Sequence, residues 1–166
     1  MNKAKLYKIS RVKGVTLIEV MIVVAIVAII AAIGYPSYLE YVKNTRRSDA
    51  KGHLIQFAQA MEKHKNVNRT YYGTVQGGDS VGDDSGPPKH YLQYIPEGST
   101  SSNATYQLRL SLTENGTRYK LFAKPVAGGM MADDRCYELE IDQSGVKRAL
   151  TDLGAPIPSS VGCWER

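Results

Sequence analysis

The stretch RVKGVTLIEVMIVVAIVAIIAAIGYP, residues 11–36, places a single carboxylate, Glu19, at the head of a run from Val20 to Ile33 in which all 14 residues are apolar. That length alone fits a buried helix, a signal-peptide core or a short membrane span. The flanks decide. Val15 to Tyr35 makes 21 residues, about 31 Å of helix at roughly 1.5 Å per residue, which is enough to cross a bilayer core. Upstream, residues 1–14 carry Lys3, Lys5, Lys8, Arg11 and Lys13 and no acid, and these five bases account for the whole formal charge of +5. Beyond Gly14 the chain has 16 bases against 16 acids. The basic balance therefore reads as a targeting leader, held in the cytoplasm by the positive-inside rule.

That orientation places residues 36–166 outside the cytoplasm, where Cys136 and Cys163 could form a disulfide. Closing a loop of about 27 residues would stabilise the fold by roughly 3.5 kcal/mol on the chain-entropy model. Two unrelated buried thiols are the alternative.

After Pro36 the pattern becomes periodic. Tyr38, Tyr41, Val42, Thr45, Ala50, Leu54, Phe57, Ala58 and Met61 recur at spacings near three and four, with Lys43, Arg46, Arg47, Lys51 and other polar residues between them. This predicts an amphipathic helix to about residue 65, joined to the apolar run with a kink at Pro36. Residues 73–103 are rich in Gly and Pro and predict an irregular connector. A sheet of about four antiparallel strands is expected over 104–150. ATYQLRLSL alternates through Tyr106, Leu108, Leu110 and Leu112, ENGT (114–117) supplies an Asn-Gly turn, and RYKLFAKP, CYELEID and VKRAL follow. The last residues, GAPIPSSVGCWER, predict an irregular tail. The fold class is α+β, a long kinked helix packed on a small antiparallel sheet.

An acid in a spanning helix costs about 2.5 kcal/mol or more near the helix centre. Glu19 lies near one end instead, four residues after Val15. If the chain began at Val15, an ammonium would lie one helical turn away, and a carboxylate facing the terminal amine of a neighbouring chain would be compensated only on assembly. Two other readings stay open on the residues alone: a charge tolerated among lipid headgroups, and a conventional secretory signal cut near AAIG.

KGVTLIEV, an apolar run, Gly-Tyr-Pro and a long amphipathic helix together resemble the amino-terminal signal of type IV pilins, most closely over residues 10–65. YPSYLEYVKNTRRSDAKGHLIQFAQAMEKH followed by NRTYY is similar to the PilE-like minor pilins, a group that includes receptors for DNA uptake sequences. The order of loop, strands and a late Cys pair resembles the family less specifically. The resemblance implies a leader ending at Gly14, cleavage by prepilin peptidase, N-methylation of Val15, an assembly contact for Glu19 and a kink at Pro36. It also implies an inner-membrane subunit that moves into an extracellular pilus, with other pilins and the assembly machinery as partners. Many pilins begin with phenylalanine where this chain has Val15.

Other function classes find little support. The histidines are His53, His64 and His90, and no Gly-rich phosphate loop follows a strand. GGDSVGDDSG lacks the acid spacing of a calcium loop. No catalytic residue, metal or cofactor is expected. Asn-x-Ser/Thr triplets at Asn68, Asn103 and Asn115 read as turn chemistry. A DNA receptor needs a basic surface. Residues 36–70 carry seven bases and three acids, but residues 71–166 carry nine bases and twelve acids, so DNA binding is not favoured. Arg109, Arg118, Lys120, Lys147 and Arg148 are the bases that could gather for it. A type II secretion pseudopilin is the nearest rival to a pilus subunit, and the terminal Cys pair tilts against it.

Overall fold

A computed structural model describes residues 14–78, 82, 84–158 and 162–165. The leader bases Lys3 to Lys13 and the candidate calcium acids Asp79 and Asp83 lie outside the described residues. The chain divides into two compact units, Met1–Glu40 and Tyr41–Arg166. One helix, α1 (Leu17–Asn68), contributes to both and contains Pro36.

The first unit is the beginning of α1. Thr16 starts it, its hydroxyl accepting the amide hydrogen bond of Glu19 at 3.3 Å while its carbonyl accepts that of Val20. This is the Ser/Thr-x-x-Glu cap, in which the side chain three residues into the helix is an acid or amide. Every side chain from Val20 to Ile33 is exposed in the isolated chain, Val20 at 51% and Ile33 at 75%.

In the second unit, α1 lies against an antiparallel sheet. The strands are β1 (Ser85–Gly86), β2 (Tyr94–Ile95), β3 (Tyr106–Thr113), β4 (Arg118–Pro125), β5 (Glu138–Asp142) and β6 (Lys147–Leu150). Their order is β1-β3-β4-β5-β6, with β2 also paired to β3. Period-two alternation turns Tyr106, Leu108, Leu110 and Leu112 of β3 inward, with Tyr119, Leu121 and Ala123 of β4 beside them. They meet Ala50, Leu54, Phe57 and Met61, the stripe that α1 presents at spacings of four, three and four. Tyr71 stands edge-on to Tyr119 with ring centroids 5.0 Å apart, and Phe57 stacks on Tyr91 at 4.8 Å.

The four long strands fall where alternation predicts them. Asn115 and Gly116 adopt φ of 55° and 67°, as an Asn-Gly turn requires, and a Cβ at Gly116 would lie 2.2 Å from the Tyr72 ring. The helix, however, runs three residues past the expected end, to Asn68. The expected connector contains β1 and β2, because the outer edge of β3 offers unpaired backbone groups that two short segments satisfy. Tyr38, Tyr41 and Thr45 are exposed rather than inward, since burial on α1 begins at Arg47. Arg47 and Lys51, expected between the apolar positions, are buried.

Candidate functional site

The helix start gathers three of the sequence-predicted residues, Gly14, Val15 and Glu19. Gly14 is exposed, and a Cβ placed on it would have nothing within 4 Å. The chain's own packing therefore does not require glycine there. Val15 is also exposed. Glu19 occupies the third position of α1, where the partial positive charge of the helix terminus favours a carboxylate. The sequence reading treated Glu19 as a bare charge and missed this cap, although Thr-Leu-Ile-Glu ahead of an apolar run is its signature. Pro36 lies inside α1, where it removes one backbone donor.

Helix α1 is long and apolar enough at its start to cross a membrane. Each large side chain left in water there forgoes about 1.5–3 kcal/mol of burial. Lipid or other apolar helices must therefore cover it.

On the head, the face of the sheet turned away from α1 carries most of the bases singled out in the sequence. Arg109, Phe122, Glu140 and Arg148 form one row across β3 to β6, and Ser111, Lys120 and Asp142 form the next. Arg118 and Lys124 continue the outward side of β4. Much of this charge is balanced in place. Arg148 Nη1 lies 2.6 Å from Glu140 and 3.0 Å from Asp142, Lys120 Nζ lies 3.9 Å from Glu140, and Arg118 Nε lies 3.2 Å from Glu114. Hydrogen bonds to Glu140 and Asp142 raise the Arg148 pKa further. Burial raises the pKa of Glu138 on the same face, against the pull of Lys124 and Arg109. Among the described residues no ion pair is formed by Arg109 or Lys124. Lys124 was missed in the sequence, although the alternation of RYKLFAKP puts it on the same side as Arg118 and Lys120. Lys147 departs from the other four bases: it pairs with Ile141 on the opposite side of the sheet, and its ammonium sits 5.7 Å above the Trp164 ring.

Cys136 and Cys163 are joined, with Cα atoms 5.6 Å apart, which fixes the tail beside β6. The tail then covers the sheet edge. Ile157 donates its amide to the Ala149 carbonyl, and the Trp164 indole donates to the Arg148 carbonyl at 2.6 Å.

The histidines are placed separately from these features. His64 stacks on His90 at 5.6 Å, and His53 Nδ1 lies 3.3 Å from the Tyr91 hydroxyl. No cluster of three or more metal-ligating side chains occurs among the described residues.

Comparison with known proteins adds two family matches. Residues 36–140 match the family model described as "Type IV minor pilin ComP, DNA uptake sequence receptor". Residues 9–35 match the prokaryotic N-terminal methylation motif. No curated protein matches the chain. Among solved structures, a type IV pilin from Shewanella oneidensis is 23% identical, with 75% of this chain and 99% of that one covered and a TM-score of 0.44. The assignment rests on the two family models, the first of which spans more than half of the chain. The chain belongs to the type IV minor pilin family, as a filament subunit anchored in the inner membrane by its apolar helix before it enters the pilus.

Proposed function

We propose that prepilin peptidase cuts this chain after Gly14 and methylates Val15, and that Glu19 then guides the helix into the filament. In the membrane the acid sits in the first turn of its helix, where the partial positive charge of the helix terminus favours it. In the filament it faces the terminal amine of a neighbouring subunit, a contact that disfavours misaligned helix packing. Pro36 marks a kink at the membrane exit. The exposed apolar segment headed by a single acid carries this reading, because a surface of that kind has to be covered and its one charge has to be compensated. Mass spectrometry of sheared pili tests it. A peptide beginning at N-methyl-Val15 is expected, and intact chain in the periplasm with none in the pili would overturn the proposal.

A second reading, reception of DNA by the head, is favoured by the match over residues 36–140, whose description names a DNA uptake sequence receptor. Arg109 and Lys124 are the bases of the outer sheet face best available to phosphates. Retention of DNA by the full chain in detergent is expected to weaken when both become alanine. The slope of log affinity against log salt should fall by roughly two. Unchanged retention removes this face from the reading.

A further inference from the structure

We infer that the cavity beside Trp164 is a stacking site for an unpaired nucleobase, with Lys147 taking the adjoining phosphate. The inference rests on the reading of the head as a DNA receptor.

The cavity is about 220 Å³ and lies between β6 and the tail, lined by Lys147, Pro156, Ile157, Trp164 and Glu165 among others. Three constraints hold the indole still. Its N–H is committed to the Arg148 carbonyl, the neighbouring Cys163 is bridged to fully buried Cys136, and the ring packs against the hydrophobic core. Trp164 is only partly buried, so part of the ring stays accessible. A ring held in advance can accept a flat partner without itself being ordered on binding.

Lys147 supplies the second half of the site. Its exposed ammonium rests over the indole, a weak attraction at a solvated position. A long, flexible side chain can leave the ring face when a base arrives and pair with the phosphate attached to that base. Aromatic platforms bordered by a base are how proteins hold single-stranded nucleic acid, because every nucleobase has a π-face. Bases inside an intact duplex are already stacked, so the site selects an unpaired or frayed nucleotide. Glu165, in the lining, opposes the phosphate and sets a second test of opposite sign.

Trp164 is the only tryptophan in the chain, so its fluorescence reports this site alone. The full chain in detergent is titrated with short oligodeoxythymidine, as a single strand and annealed to oligodeoxyadenosine, and DNA retention is measured in parallel. The single strand is expected to quench the fluorescence and the duplex to quench it much less. Trp164→Ala should weaken single-strand retention about tenfold, Lys147→Ala should weaken it and flatten its salt dependence, and Glu165→Gln should tighten it. Should Trp164→Ala fail to fold, quenching of the unaltered chain and the two charge variants still decide the matter. Single strand retained with unchanged fluorescence overturns the stacking site and leaves DNA reception standing, as does equal quenching by the duplex. If the unaltered chain retains neither form, DNA reception itself fails, and the stacking site with it.

Discussion

At the scale of one residue, Glu19 has two tasks that a single substitution can separate. It is the third residue of α1, opposite the Thr16 hydroxyl that accepts its amide. It is also the only charge between Val15 and Tyr35. Glutamine can occupy the same cap position but carries no charge, so Glu19→Gln keeps the helix start and removes the ion pair proposed for the filament. Membrane insertion and leader cleavage are expected to continue, while the ratio of chain in sheared pili to chain in membranes falls several-fold. Glu19→Ala should show the same fall. Normal incorporation of Glu19→Gln together with poor incorporation of Glu19→Ala would make the cap, rather than the charge, the reason for the acid.

At the scale of elements, the contact that ties α1 to the β4–β5 connection is a buried ion pair. Arg47 Nη2 lies 2.5 Å and Nε 3.1 Å from the two carboxylate oxygens of Asp134, both residues are buried, and Asn44 accepts from Nη1 at 2.8 Å. Removing one partner strands the other charge in the interior. Arg47→Ala is therefore expected to destabilise the head by about 3–5 kcal/mol, whereas Arg47→Met with Asp134→Leu should recover most of that loss. Thermal unfolding of the two variants beside the unaltered chain checks this, and equal losses in the single and double variants would show that the pair is not coupled. The same contact shows where sequence reading stops. Apolar periodicity placed Leu54, Phe57 and Met61 against the sheet because each residue reports its own preference for burial. Arg47 and Asp134 prefer burial only together, and 87 positions separate them. The two-residue strands β1 and β2 were hidden for a related reason. Ser-Gly and Tyr-Ile are too short to show a period, and their pairing is decided by the open edge of β3. At Arg109, Arg118 and Lys120 the sequence showed only bases that could gather, and strand register decides that they share one face with acids of β5 that neutralise part of it.

At the scale of the whole molecule, three tyrosines from separate parts of the head share one core and one response to alkali. Tyr71, Tyr106 and Tyr119 are buried, and burial is the main cause that raises the pKa of each. Glu62 adds to it at Tyr71, whose hydroxyl donates to that carboxylate at 2.8 Å, and also at Tyr119, while Asp134 adds to it at Tyr106. An unfolded tyrosine ionises near pH 10. Because the folded values lie higher, the unfolded chain loses these protons first, so the stability they confer is complete below about pH 10 and declines above it. The decline is at most about 1.4 kcal/mol per pH unit for each group, or about 4 kcal/mol for three together. The tyrosinate absorbance of these three should therefore appear only with cooperative loss of helical circular dichroism. Replacing Tyr71 and Tyr119 by phenylalanine removes two of the three protons released on unfolding, and the alkaline transition should become shallower and move to higher pH. A single smooth titration near pH 10 with the helix signal intact would mean that the three hydroxyls reach solvent without unfolding.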